Sequence, residues 1–302
     1  TLSPSSAASD VYKRQNEYTC SPINNENNGY YNCTWDSTDK LEGNYSIRIT
    51  SSRTNYNSNT SSYEDWFWLE NRPPTYSNLI VTPTIGGWGD EFVFNVSVQD
   101  PENDTVTCWL YVNTTGTFEL KGSQTISTPG TCSISVKDFE CQDIGQAEFY
   151  FSINDTFNQV NTTTVSQPTL VRDLVEIIYV QGNESLVNRS GTNYVTFKVR
   201  VKDLNRTETL GSTQYAINPN GTFWVTNDNQ NYNYYFDVQG DSQGYLSLQL
   251  DPDCSYTIGN QYWFAGVRND NCYAETNTSS NFTYYIIGDL IASILQPDGE
   301  KY

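Results

Sequence analysis

Histidine and methionine are both missing from the 302 residues. Without an imidazole there is no Ser–His or Cys–His nucleophile and no histidine-ligated zinc. The catalytic device that survives is a carboxylate pair of the glycosidase type. The acidic residues cluster in turns, where solvation and turn formation account for them, so the chain is read as a non-enzyme. Basic residues are scarce: 16 Lys and Arg stand against 35 Asp and Glu, a net charge of −19. Such a surface repels nucleic acid and anionic membranes, and leaves divalent cations and neutral glycans as partners. Long apolar runs are absent too. The longest, 284–295, contains Asp289 and is too short for a bilayer, so no membrane span is expected in this chain. None of the seven cysteines forms a Cys-x-x-Cys. With no histidine beside them, disulfides in an oxidising compartment are the better reading.

Aromatic residues make up 14% of the chain and hydrophobic residues 36%, which supports packed cores, and the length allows two or three of them. Asn-x-Ser/Thr occurs at Asn32, Asn44, Asn59, Asn95, Asn103, Asn113, Asn154, Asn161, Asn183, Asn188, Asn205, Asn220, Asn277 and Asn281. That is about twice the chance expectation for this composition. Phase is more telling than number. Across 92–98, Phe92, Phe94, Val96 and Val98 share one face and Asn95 takes the other. Asn44 likewise opposes Tyr45, Ile47 and Ile49, and Asn154 opposes Phe149, Phe151 and Ile153. Period-two alternation turns these acceptors to solvent, where a glycan must sit. The expectation is an extracellular or cell-surface protein carrying covalent N-glycans.

Short alternating runs recur at 92–98, 105–112, 132–136, 147–153, 194–201, 245–250 and 262–267, separated by Gly, Asn, Asp and Pro clusters. No helical periodicity of useful length is present, and this spacing is that of an all-β sandwich. The segment TLVRDLVEIIYVQGNE (169–184) lines up with YIIGDLIASILQPDGE (285–300), and CQDIGQAEFYFSIND (141–155) with CSYTIGNQYWFAGVRND (254–270). Self-similarity of this kind means tandem domains. The expected organisation is a lead at 1–15, a partial domain at 16–72, full domains at 73–168 and 169–286, and a further strand at 287–302. Pro73-Pro74 and Pro168 mark the junctions. The partial domain holds only strands at 30–36, 44–50 and 66–70.

The succession PPTYSNLIVTPT, FVFNVSVQDPENDTVTCWLYVN and GQAEFYFSINDT resembles the immunoglobulin-like and cadherin-like repeats of archaeal and bacterial surface proteins. The likeness covers 73–302 well and 16–72 in part. The string SAASDVYKRQ (6–15) resembles translated sequencing-adapter sequence, so 1–15 is set aside as an artefact or disordered lead. The repeat resemblance implies tandem immunoglobulin-like β-sandwich domains. It also implies a structural role in a filament, stalk or surface layer, partnered by copies of itself or other surface proteins. A carbohydrate-binding or adhesin module is the alternative. In such a sandwich Cys108 and Cys132 pair across the sheets, with Cys20 and Cys33 as the shortened equivalent. Cys141 and Cys272 would join consecutive domains and leave Cys254 unpaired; a local Cys254–Cys272 bridge is the rival. Cys132 with Cys141 is disfavoured, because the extended chain between them overreaches the roughly 7 Å limit.

The loop 100–104 spaces Asp100, Glu102 and Asp104 at alternate positions, as in the Ca²⁺-binding inter-domain loops of cadherin-like repeats. The corresponding loop of the next repeat carries Asp203 and Asn205, beside Asp138, Glu140 and Asp143. An acidic turn produces the same residues without a metal, and no other cofactor is expected. Alternation over 105–112 leaves Trp109 and Tyr111 facing outward, with Glu148 and Tyr150 beside them. Such a patch suits a sugar or a neighbouring subunit. Trp66-Phe67-Trp68 and the run 232–236 are read as core with overspill. For the ends two accounts fit. Either both are truncations, or the apolar tail with Leu290, Ile291, Ile294 and Leu295 completes the partial domain of a neighbouring copy. The adapter-like start and the missing initiator Met favour truncation.

Overall fold

A computed structural model describes residues 20–37, 40, 42–290 and 292. The expected lead at 1–15 lies outside them, as do Ile291, Ile294, Leu295 and most of the expected strand at 287–302. The chain divides into two compact units, one of residues 1–72 with 101–103 and one of residues 73–100 with 104–302.

In the first unit Asn24–Asn25 pairs with Tyr31–Asn32, and Gly43–Ser51 pairs with Asn59–Leu69, both antiparallel. Its aromatic nucleus is small: Trp35, Tyr45 and Phe67 meet with ring centroids 5.2–5.6 Å apart. Trp66 and Trp68, expected partly in a core, point to the opposite face from Phe67 and are 61% and 57% exposed. Period two in a strand makes that division unavoidable.

The second unit contains two sandwiches. In the first, the sheet Gly130–Val136, Phe92–Gln99, Thr75–Thr82 faces the sheet Val160–Thr162, Glu148–Asp155, Thr105–Asn113, Phe118–Ser127. Every second residue is buried along the central strands, so Phe92, Phe94 and Val96 meet Leu110, Phe149 and Phe151. Phe94 and Phe149 touch edge to face at 4.8 Å. Each such side chain contributes about 1.5–3 kcal/mol by leaving water. The strand Phe118–Ser127 and a short sheet of Gly145–Gln146, Thr169–Val171 and Ile85–Gly87 add to the expected pattern.

In the second sandwich, Val195–Asp203 is flanked by Val175–Gln181 on one side and by Tyr245–Leu250 and Gln214–Tyr215 on the other. The opposing sheet runs Ser185–Asn188, Phe282–Ile287, Gly259–Val267, Asn220–Val225, Tyr234–Gln239. Between the sheets Phe197 stacks on Trp263 at 4.6 Å. The buried polar tips are satisfied: Trp263 Nε1 donates to the Gly182 carbonyl and the Tyr284 hydroxyl to the Thr226 carbonyl. Among the described residues one α-helix, Leu204–Leu210, interrupts the all-strand pattern.

Thr169–Val171, expected to open the next domain, instead pairs with Ile85–Gly87 in parallel and with Gly145–Gln146 antiparallel, both strands of the first sandwich. Phe282–Ile287 pairs in parallel with Ser185–Asn188 in the same way.

Candidate functional site: a cross-linked junction between two sandwiches

The chain passes from the first sandwich to the second at residues 172–174, and the groups gathered there come from distant parts of the sequence. Trp88 leaves the strand Ile85–Gly87 and is buried. Its backbone N–H donates to the Val171 carbonyl at 3.0 Å, and its indole N–H to the Cys272 carbonyl at 2.8 Å. The Trp88 ring lies 6.1 Å from that of Tyr273, with the Arg206 guanidinium on it at 5.3 Å. Asp173 makes a parallel bridge with Tyr273: its N–H donates to the Cys272 carbonyl at 3.0 Å and its carbonyl accepts from Ala274 at 2.8 Å. The Cys141–Cys272 disulfide, with Cα atoms 5.1 Å apart, closes the same region across 131 residues. Cys141 is presented by a 3₁₀ turn, Cys141–Asp143, in which the Asp143 carboxylate accepts from the Glu140 N–H at 2.8 Å and the Asp143 N–H donates to the Glu140 carbonyl at 2.8 Å.

Behind this bridge lie carboxyl groups. Asp173 and Asp203 are both fully buried. Asp173 Oδ1 accepts from the Gly89 N–H at 2.8 Å, and Asp203 Oδ1 from the Arg206 N–H at 3.0 Å, which caps the helix Leu204–Leu210. The Oδ2 atom of each has no donor among the described residues. Asn205 ties the assembly together, donating from Nδ2 to Asp90 at 2.7 Å and accepting on Oδ1 from the Leu174 N–H at 2.6 Å. Burial pushes the Asp173 carboxyl up to about 8, and the negative charges of Asp203 and Asp90 add to the effect against the Gly89 N–H. Burial raises Asp203 as well, opposed by Arg206. Two carboxyls in one dry site cannot both ionise cheaply, so the pair retains a proton. Space explains the flanking glycines. A Cβ on Gly89 would sit 2.3 Å from Asp173 Oδ2, and one on Gly87 2.3 Å from Asp173 Oδ1.

None of Trp88, Asp90 and Asp173 was singled out from the sequence. The signals were the glycine-flanked GGWGD (86–90) and the Asp-Leu step that recurs at 173–174 and 289–290. Asp100 is buried and accepts from the Asp104 N–H at 3.0 Å, while Glu102 accepts from Arg72 Nε at 2.8 Å. No group of three or more His, Cys, Asp or Glu with metal-holding geometry occurs among the described residues. Asp138 lies 3.8 Å from Lys121, away from the junction carboxyls in its pairing, and Asp143 accepts from the Thr114 hydroxyl.

The cysteines pair as Cys20–Cys33, Cys108–Cys132 and Cys141–Cys272, and Cys254 is free and exposed. Of the fourteen glycan acceptors, eight are exposed and six half-buried; the latter are Asn95, Asn113, Asn154, Asn161, Asn188 and Asn205. Asn205 Nδ2, the atom a glycan would occupy, donates to Asp90 at 2.7 Å inside the junction, whereas Asn113, Asn154 and Asn220 make looser contacts of 3.3–3.5 Å through the same atom, to Glu148, Asn158 and the Asn269 carbonyl. Trp109 and Tyr111 do face outward. Tyr150 stacks beside Tyr111 at 5.1 Å, and Phe118 packs on its edge at 4.9 Å.

The chain is thus an all-β protein with two β-sandwiches in tandem in its second unit. No family model and no curated protein matches the sequence. Solved structures similar to it include a tetra-tandem repeat from the extending region of a large adhesion protein, at 14% identity over 84% of this chain and 60% of that one, TM-score 0.38. A Ca²⁺-stabilised adhesin with which an Antarctic bacterium binds ice is similar at 13% identity over 82% and 57%, TM-score 0.28. Fibronectin(III)-like modules of Clostridium thermocellum CbhA are similar at 12% identity over 70% and 95%, TM-score 0.23. The chain spans about 60% of the first of these. Among the described residues no helix is long and apolar enough to cross a membrane.

Proposed function

We propose that this chain is a structural repeat module of an extracellular, N-glycosylated surface protein, a stiff spacer within a filament, stalk or surface layer. The observation that carries the reading is the redundancy of the junction. A disulfide, a parallel backbone bridge, a buried tryptophan and a helix cap all fix the same joint. A catalytic or ligand-exchanging joint needs to open, whereas a spacer gains from not opening. The disulfides and the outward sequons fit an oxidising exterior and a glycosylated coat. Its partners on this reading are copies of itself or other surface proteins. Imaging of native material tests it: an ordered fibre or lattice is expected, and dispersed monomers in a soluble secreted pool would contradict it.

The outward aromatics favour a second reading, a carbohydrate-binding or adhesin module. There a glycan array probed with folded protein would give selective binding that Trp109→Ala with Tyr111→Ala abolishes. Uniform silence on the array disposes of this second reading.

A further inference from the structure

Both sandwiches display an aromatic strip on the outer face of one sheet, and in both the strip shares its face with glycan acceptors. In the first sandwich the strip is Trp109, Tyr111 and Tyr150. Asn113 follows Tyr111 by two residues on the same strand and lies opposite Phe118 and Glu148. Asn154 lies opposite Thr107, one diagonal step from Trp109. In the second sandwich Trp224 stacks on Phe264 at 4.7 Å, with the Tyr232 ring edge-on to Phe264. Asn277 pairs with Gly266, two residues from Phe264 on that face, and Asn220 is four residues before Trp224. Arg268 links them, placing its guanidinium 5.4 Å from the Trp224 ring while donating to Asn277 Oδ1. Gly266 leaves this corner open, since a Cβ there would lie 2.3 Å from Asn277 Oδ1.

These rings are half-exposed although each sheet has a filled core behind it. Water over an aromatic strip is costly, and single-chain surfaces seldom leave such patches uncovered. A pyranose offers the fitting cover. One face of the sugar is a row of polarised C–H bonds that meet the negative ring face, and its hydroxyls stay in water. We infer that N-glycans on Asn113 and Asn154, and on Asn220 and Asn277, fold back over the strip on their own face and stack on it. The inference rests on the reading of the chain as N-glycosylated. It adds that the glycans are part of the packed surface.

The test uses the full chain secreted from a glycosylating host. Glycopeptide mass spectrometry comes first, and empty sites at all four asparagines would overturn both the glycoprotein reading and this inference. With the sites occupied, Asn220→Gln plus Asn277→Gln is expected to lower Tm by about 2–4 °C in the parent. The same pair is expected to have no effect once Trp224→Ala and Phe264→Ala are present. An equal loss in both backgrounds overturns the inference and leaves the glycoprotein reading standing. Should the aromatic variant not fold, nuclear Overhauser contacts between indole and sugar-ring protons in the parent decide the matter. Their presence supports stacking and their absence overturns it. Concentration-dependent self-association of the glycosylated protein that Trp224→Ala abolishes would assign the face to a second copy and overturn it too.

Discussion

Asp173 and Asp203 put a proton where the unfolded chain would not hold one. Asp173 rises from 3.8 to about 8 through burial and the neighbouring negative charges. The groups around the pair are Asp90, Arg206, Tyr273 and Asp270. Tyr273 is itself pushed up to about 12 by burial and stays neutral throughout. Between the unfolded and folded values the native state binds a proton that the unfolded state has released, so stability falls as pH rises through that window. The contribution is complete below 3.8 and gone above about 8. Its slope is at most about 1.4 kcal/mol per pH unit. Asp173→Asn keeps a donor facing Asp203 at every pH. Denaturation at pH 5 and at pH 9 should therefore show the variant gaining on the parent at the higher pH. A difference that does not move with pH would refute the shared proton. Gly89 is argued from space alone. Gly89→Ala puts a methyl on Asp173 Oδ2 and on Arg206 Cγ, and should cost about 1–3 kcal/mol in a urea titration. An unchanged midpoint would mean the junction yields more easily than its packing suggests.

Among the elements, legibility in the sequence tracked burial. The strands Phe92–Gln99, Thr105–Asn113 and Gly130–Val136 lie within two residues of their alternating runs because each has one face in the core. Phe118–Ser127 is not legible as a strand. It borders Thr105–Asn113 and turns Gly122, Gln124 and Ile126 to the core side only half-buried, so its sequence FELKGSQTIS carries no sustained apolar alternation. The helix Leu204–Leu210 is hidden for the same reason. It buries no side chain, and only its caps announce it, Asp203 at the start and Gly211 in the left-handed region at φ 66° at the end. Of the disulfides, Cys108–Cys132 follows from the strand ends that meet in a sandwich, whereas the sequence leaves Cys141–Cys272 and Cys254–Cys272 as rivals, and the structure forms the former. At 100–104 an acidic turn and a metal loop share one sequence signature, while Asp173 and Asp203 meet only through the tertiary fold.

At the scale of the whole molecule, the tandem array is legible from the internal repeat, and of the joint only the Cys141–Cys272 bridge and the loop with Asp203 and Asn205 are. Trp88 and Asp173 lie far apart in sequence and have no spacing to reveal them. Their convergence is what turns two sandwiches on a chain into a spacer. The central claim is that this joint is fixed, and a distance measurement across it decides. Cys254 is free and exposed in the second sandwich, and Ser77 is exposed on the first. Spin labels on Cys254 and on Ser77→Cys, read by pulsed dipolar spectroscopy on the full chain, should give one narrow distance distribution. It should broaden when Trp88→Ala is combined with Cys141→Ser and Cys272→Ser. A broad or multiple distribution in the otherwise intact protein would contradict the account.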